Sequence, residues 1–89
     1  MSMRIKRNQY MRAFVAARNT EQRCNKAEEQ WQRWLQRIDL AQRANKPGLA
    51  QVARRQALRS AETAIAMQRL LRAQLAEVHY LADDIRRER

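Results

Sequence analysis

Glycine and proline, the residues that most often interrupt helices, are almost absent from this sequence. Gly48 is the only glycine and Pro47 the only proline, and the two are adjacent. Most of the remaining positions are Ala, Arg, Gln, Leu or Glu, which all favour helix. The composition therefore predicts two long helices joined near residue 47, as in coiled coils.

Cysteine and long apolar runs are equally scarce. Cys24 is the only cysteine, so no intrachain disulfide can form and nothing indicates an oxidising compartment. The sequence contains no apolar run of about 18 residues that would predict a membrane-spanning helix, and no apolar core typical of a signal peptide. We therefore expect a cytoplasmic protein, with a location at the periphery of a membrane as the alternative.

Combinations of residues that support catalysis or metal binding are also lacking. Catalysis requires groups that converge, such as a nucleophile with its base, paired carboxylates or a metal cluster. His79 is the only histidine, and in a hairpin it would lie roughly 15 Å along the axis from the level of Cys24. Asp83 and Asp84 are adjacent on a helix and diverge. We expect a non-enzymatic protein with no catalytic residue, cofactor, metal or small-molecule substrate.

Positive charge is abundant but unevenly distributed. The formal net charge is +10, from 19 basic and 9 acidic residues. Residues 1–60 hold 14 basic and 4 acidic residues, whereas residues 61–89 hold five of each. This imbalance favours an anionic partner, which would be an acidic protein, nucleic acid or an anionic membrane surface. The alternative is a solvated basic face without a binding role.

Apolar residues recur at alternating steps of three and four, the spacing of helices that pack through one face. The pattern predicts a helix over about 5–44, a turn over 45–48 and a second helix over about 48–87. Asn45 suits the left-handed position that ends a helix, and Pro47 suits the first turn of the next one. The short connection makes the two helices antiparallel neighbours. The predicted fold is a long antiparallel two-helix coiled-coil hairpin.

The predicted seam between the helices is not fully apolar, that is, it is leaky, because two of its positions in the first helix fall on Glu21 and Glu28. Asn19 and Thr20 are poor mid-helix residues and good caps, so they mark a candidate break. The second helix has a wide apolar stripe, which predicts association into a homo-oligomer such as a four-helix bundle. The predicted seam residues are Tyr10, Phe14, Cys24, Trp31, Leu35, Ile38, Ala57, Ala64, Met67, Leu71, Leu75, Val78 and Ile85.

Basic residues are concentrated beside the turn, where residues 31–60 hold seven of them against one acid, Asp39. Guanidinium groups match carboxylates and phosphates in geometry, and tryptophan is a frequent anchor of interfaces. We predict that this end binds an acidic protein. RNA or DNA bound through phosphates, without sequence readout, and anionic lipid are the alternatives. The predicted partner-binding residues are Arg33, Trp34, Arg37, Arg43, Lys46, Arg54, Arg55 and Arg59.

The segment around the turn resembles the hairpin tip of the phage-shock protein A (PspA) family, which includes the vesicle-inducing proteins of plastids and cyanobacteria. The likeness covers about residues 31–75. The string that carries it runs from Trp34 through Ile38, Leu40, Ala41 and Ala44, crosses the turn Asn45-Lys46-Pro47-Gly48, and continues to Leu49, Ala50 and Ala53.

The resemblance implies an antiparallel hairpin used in protein assembly, peripheral to a membrane or accessory to other proteins. This sequence departs from the family in several respects. Family members are more than twice as long and carry a leading membrane-binding helix and further helices that build a polymer. Pro47 and Gly48 replace a more acidic turn, and Arg54 replaces an apolar residue.

Overall fold

The structure, a computed structural model, describes residues 3–88 as two helices of 41 residues each, α1 (Met3–Arg43) and α2 (Pro47–Arg87). The helices pack against each other as a hairpin with Cα extents of 65 × 14 × 13 Å. No strand occurs within residues 3–88. The predicted all-α hairpin is therefore confirmed.

The connection between the helices is a compact helix-ending motif centred on Asn45. This residue has φ 54°, in the left-handed region, where asparagine is tolerated better than most residues. The N–H of Lys46 donates to the carbonyl of Ala41 at 2.9 Å, and the N–H of Asn45 donates to that of Gln42 at 3.1 Å. These two bonds form a Schellman motif. Pro47 then begins α2, where its missing N–H has no cost.

The seam follows an unbroken alternation of three and four residues in both helices. Almost every position in it is buried or half-buried, and Trp31 lies at the border of exposure. The positions in α1 are Tyr10, Ala13, Ala17, Thr20, Cys24, Ala27, Trp31, Trp34, Ile38 and Ala41; those in α2 are Ala50, Ala53, Ala57, Ser60, Ala64, Met67, Leu71, Gln74, Val78, Leu81 and Ile85.

The prediction for part of this seam was wrong by one residue. Phe14, Leu35 and Leu75 remain more than a third exposed, because their neighbours Ala13, Trp34 and Gln74 occupy the seam instead. The two acidic positions that made the seam leaky are likewise replaced, by Thr20 and Ala27, which are both buried. Small side chains allow the helices to approach closely, and the Sγ atom of Cys24 lies 3.9 Å from the backbone oxygen of Ala64.

The other predicted seam residues lie in or at the border of the seam. Cys24, Ala57, Ala64 and Val78 are buried; Tyr10, Ile38, Met67, Leu71 and Ile85 are half-buried. The candidate break at residues 19–20 does not interrupt α1. Thr20 is buried, and its hydroxyl donates to the carbonyl of Ala16 at 3.1 Å, so the polar group is satisfied within the helix.

The core of the hairpin is thin. Nine of the ten buried apolar residues are small, being alanines or Cys24, and among residues 3–88 no large side chain is completely buried. Fourteen large apolar side chains in the described part of the chain are exposed by more than a third. A pair of helices that buries so little large apolar surface has a small hydrophobic driving force for folding alone. Neither helix, within the described residues, is long and apolar enough to cross a membrane.

Candidate functional site

An apolar cleft lies between the helices beside the turn, and we call it the turn-end cleft. Its apolar lining is provided by Trp34, Leu40 and Ala41 from α1, Ala44 beside the turn, and Leu49, Val52 and Ala53 from α2. Leu40 is 63% exposed, Leu49 58% and Val52 50%. These three leucine and valine side chains lie off the seam, so packing between α1 and α2 does not account for them.

The rim of the turn-end cleft is cationic. The charged residues that line it, among those described, are Arg37 and Lys46. The guanidinium carbon of Arg37 lies 4.3 Å from the ring centroid of Trp34, a cation–π contact that holds the side chain over the cleft. Arg33 and Arg59 do not line this cleft: Arg33 lines another groove between the helices, together with Trp31 and Ile65, and Arg59 is exposed on α2.

The remaining predicted partner-binding residues point elsewhere. Arg54 lines a separate shallow hollow on the turn, together with Lys46 and Pro47. Arg43 forms an exposed ion pair with Asp39 at 3.1 Å, and Arg55 is exposed on α2. The structure thus brings three of the eight predicted residues to the turn-end cleft, namely Trp34, Arg37 and Lys46, and leaves the five others outside its lining.

The leucines and the valine of the cleft were not among the predicted contact residues. Leu49 and Val52 are spaced by three at the start of α2, and Leu40 lies three residues before the end of α1. All three flank the predicted seam instead of belonging to it. Apolar residues that lie beside a turn but outside the seam are the signal that could have revealed this cleft.

The opposite end of the hairpin, where the two chain termini meet, uses its charges differently. Lys6 contacts Glu88 and forms an ion pair with Asp84 at 3.2 Å between Nζ and Oδ2. The hydrogen bond to Glu88 raises the pKa of Lys6 above its ordinary value; partial desolvation opposes this effect and Asp84 reinforces it. These contacts tie α1 to α2 at the open end of the hairpin.

Cys24 has the surroundings of a structural thiol. It is buried, and its Sγ lies 3.7 Å from Oε1 of Glu28. Burial, together with the nearby negative charge of Glu28, raises the pKa of the thiol, so the nucleophilic thiolate is disfavoured. No group of three or more potential metal ligands is found within residues 3–88.

Comparisons of this chain with protein families, with curated proteins and with solved structures find no match.

Proposed function

We propose that this chain is a non-enzymatic interaction protein, a basic coiled-coil hairpin that self-associates and binds an acidic protein partner through the turn-end cleft. The occupant of the cleft is a segment of the partner that carries apolar side chains beside carboxylates. The resemblance of residues 31–75 to the PspA hairpin tip supports a role in protein assembly, as an accessory or peripheral factor.

The observation that carries this proposal is the combination of an exposed apolar floor with a cationic rim. Burial of Leu40, Leu49 and Val52 against a partner lowers the free energy of the complex, because each of these side chains has half or more of its surface in water in the hairpin. Arg37 is pre-positioned by Trp34 and therefore loses little side-chain entropy when it binds a carboxylate. An amphipathic acidic helix satisfies both requirements at once.

A nucleic acid or a lipid headgroup layer satisfies only half of these requirements. Phosphates would pair with the guanidinium groups but would leave the apolar floor of the cleft without a partner. Binding to a polyanion would also recruit the basic residues outside the cleft, such as Arg43 and Arg55, in proportion to their charge. The two kinds of partner therefore differ in their dependence on the apolar residues.

The experiment is a selection of random 16-residue displayed peptides on the immobilised protein at 0.15 M salt. We expect the enriched peptides to be acidic and to carry leucine or aromatic residues at helical spacing. Their affinity, measured by fluorescence anisotropy, should fall at least about tenfold with Val52→Ser and with Arg37→Glu. Enrichment of peptides that lack carboxylates would contradict the proposal.

Two matched controls make the experiment specific. Val15 is 50% exposed, as Val52 is, but it lies far from the turn, so Val15→Ser should leave peptide affinity unchanged. Arg12→Glu alters the charge by the same amount as Arg37→Glu at an exposed site on the same helix. Equal losses from Arg12→Glu and Arg37→Glu would indicate that only net charge matters.

The same variants separate the alternatives. Poly(U) RNA and vesicles containing anionic lipid are tested in parallel with the selected peptide. If RNA or vesicles bind more tightly than the peptide, with a steep dependence on salt and no effect of Val52→Ser, then the basic residues serve a polyanion and the proposed acidic protein partner is wrong.

A further inference from the structure

A second apolar surface runs along the broad side of the hairpin, away from the turn-end cleft. We call it the Trp31 face, and its large apolar residues are Phe14, Trp31, Leu35, Leu58, Ile65 and Leu75. All six are exposed by more than a third. Two shallow grooves between the helices form its centre; Trp31 and Ile65 line one, Phe14 and Leu75 line the other, and Asn25 lines both.

The heptad spacing places Leu35 and Leu58 on the same face as the two grooves. Leu35 follows Glu28 by seven residues and Leu58 precedes Ile65 by seven; Glu28 and Ile65 both line the first groove. The hydrogen bond from Nε2 of Gln68 to Oε1 of Glu28, at 3.0 Å, spans the two helices on this side. Neither Trp31 nor Ile65 lines the turn-end cleft, so the two surfaces are separate.

We propose that the Trp31 face is covered by a second copy of this chain, and that the two hairpins lie antiparallel, with their turn ends pointing in opposite directions. This inference deepens the proposed function, on which its self-association rests, by naming the surface and the orientation. The product is a four-helix bundle in which every helix has antiparallel neighbours.

The size of the surface is suited to a stable dimer. A face of 65 × 14 Å covers about 900 Å², so two such faces bury about 1,800 Å² in total, within the range of specific protein interfaces. The surface also has aromatic and aliphatic residues at several points along its length, as interface cores do.

Charge favours the antiparallel orientation. The turn-end half, residues 31–60, holds seven basic residues and one acid, a balance of +6. A parallel dimer would place two such ends within about a Debye length of each other, where repulsion is little screened. In an antiparallel dimer the turn ends lie roughly 60 Å apart, far beyond the Debye length of about 8 Å at 0.15 M salt.

The sequence of α1 is also complementary to itself in that orientation. Residue 23 is the midpoint of α1, because the helix runs from Met3 to Arg43. In two fully overlapped antiparallel hairpins with α1 beside α1, residues of the Trp31 face that are equally distant from this midpoint come opposite each other. Arg18 and Glu28, which line the two grooves of this face, are each five residues away and therefore meet. This pair joins opposite charges.

The functional consequence is a bivalent molecule. An antiparallel dimer carries one turn-end cleft at each end, so it can bridge two partner molecules roughly 60 Å apart, or bind one assembly of repeated partners with an avidity that a single hairpin lacks. A parallel dimer would instead place both clefts at one end.

The orientation is tested with a nitroxide attached at Gln42→Cys in the Cys24→Ala background, by pulsed dipolar spectroscopy. Residue 42 is nineteen positions from the midpoint of α1, so an antiparallel dimer gives an axial separation of about 57 Å. A parallel dimer gives less than about 30 Å, since packed helices are 8–10 Å apart and the labels add the rest. A short distance, or no dipolar signal because the protein is monomeric, overturns the proposal.

The surface is tested by substitution and light scattering in 0.5 M salt. Ile65→Glu should weaken dimerisation at least about thirtyfold while the circular dichroism of the monomer stays helical. Val15→Glu is the matched control, because Val15 is 50% exposed and Ile65 49%, and Val15 lies outside the Trp31 face. A dimer that survives Ile65→Glu, or that is lost equally with Val15→Glu, contradicts the assignment of this face.

Peptide binding distinguishes failure of this inference from failure of the turn-end cleft. A monomeric wild-type protein that still binds the acidic peptide through Val52 would leave the cleft assignment intact and remove the antiparallel dimer. An antiparallel dimer that does not bind acidic peptides would support the dimer and contradict the assignment of the turn-end cleft as a binding site.

Discussion

The two halves of the hairpin are built differently although they share one seam. In the turn-end half, residues 31–60, the buried seam residues are the four alanines Ala41, Ala50, Ala53 and Ala57. In the open-end half, residues 3–30 and 61–88, Val78 is buried against Ala13 and Ala17, and Tyr10, Leu71 and Leu81 pack around this cluster. The open end therefore contains one larger buried side chain, Val78, whereas the buried residues of the turn-end half are all alanine.

The two halves of the hairpin also differ in their balance of basic and acidic residues. The turn-end half has seven basic residues and one acid, whereas the open-end half has eleven basic and eight acidic residues. At the open end, Lys6 joins α1 to the acids of α2, whereas the ion pair at the turn end, Arg43 with Asp39, lies within one helix. The open end is thus tied across the hairpin by ion pairs, whereas the ion pair near the turn does not link the two helices.

The largest effect is expected where the seam is tightest, at the turn end. Ala53 is 3% exposed, so Ala53→Glu would bury an unpaired carboxylate and push the helices apart. We expect a loss of about 3 kcal/mol or more, which lowers Tm by more than about 12 °C in a chain of this size. Thermal unfolding followed by circular dichroism measures it.

Gln51→Glu is the matched control, because residue 51 is exposed two positions earlier on the same helix. Its Tm should stay close to that of the parent protein. If both substitutions had the same small effect, the alanine seam at the turn end would not be closed, and the contrast between the halves would fail.

A smaller effect of opposite sign is expected in the open-end half. The Oε1 atom of Gln74 is buried in the seam without a hydrogen-bond partner among the described residues. Gln74→Leu replaces this amide with an apolar group of similar size and should stabilise the protein by about 1–2 kcal/mol, as urea unfolding would show. Gln74→Ala removes the amide without adding volume and serves as the companion variant. Destabilisation by both would mean that Gln74 has a favourable partner.

Gln74 also explains why the register of the seam was only partly predictable. Leu75 is the larger apolar residue, and hydrophobicity alone selects it over its neighbour. Phe14 beside Ala13, and Leu35 beside Trp34, present the same ambiguity, because either member of each pair fits a spacing of three or four. The seam takes one continuous set of positions, spaced by three and four, in each helix, and which set it takes depends on both helices at once.

The turn was the most predictable part of the fold, because its signals are local. Asn45 and Pro47 occupy positions that backbone geometry restricts to few residue types. The turn-end cleft was not predictable in the same way. Its cations were recognised from charge, but its apolar floor depends on which side of each helix faces away from the seam, and that in turn depends on the register.

Asn45 provides the third test, with an effect below that of Gln74. At φ 54° an alanine costs about 1 kcal/mol more than asparagine or glycine, so Asn45→Ala should lower stability by about that amount, measured by urea unfolding. Asn45→Gly should be close to neutral. Because the turn fixes the relative position of α1 and α2, we also expect Asn45→Ala to weaken peptide binding more than Gln74→Ala does. Equal stability of the alanine and glycine variants would contradict the left-handed turn.

The smallest effect is expected for the ion pairs that close the open end. Lys6→Met retains the aliphatic length of the side chain but removes its contacts with Asp84 and Glu88, so Tm should fall slightly at low salt and less in 0.5 M salt. Lys26→Met, at an exposed position of the same helix, should have no comparable effect.

The pH dependence of the Tm difference between the parent protein and Lys6→Met tests whether this difference is electrostatic. The pKa of Lys6 is raised in the folded protein, chiefly by Glu88, so folding favours the charged amine. The stabilisation is fully present below the pKa of an unfolded lysine, about 10.4, and is lost as the pH rises through the higher folded value. The Tm difference between the parent protein and Lys6→Met should therefore be constant from pH 7 to 9 and shrink above pH 10.4. A difference that persists at high pH would mean that the effect of Lys6→Met is not electrostatic, and the contrast in charge between the halves would then not contribute to stability.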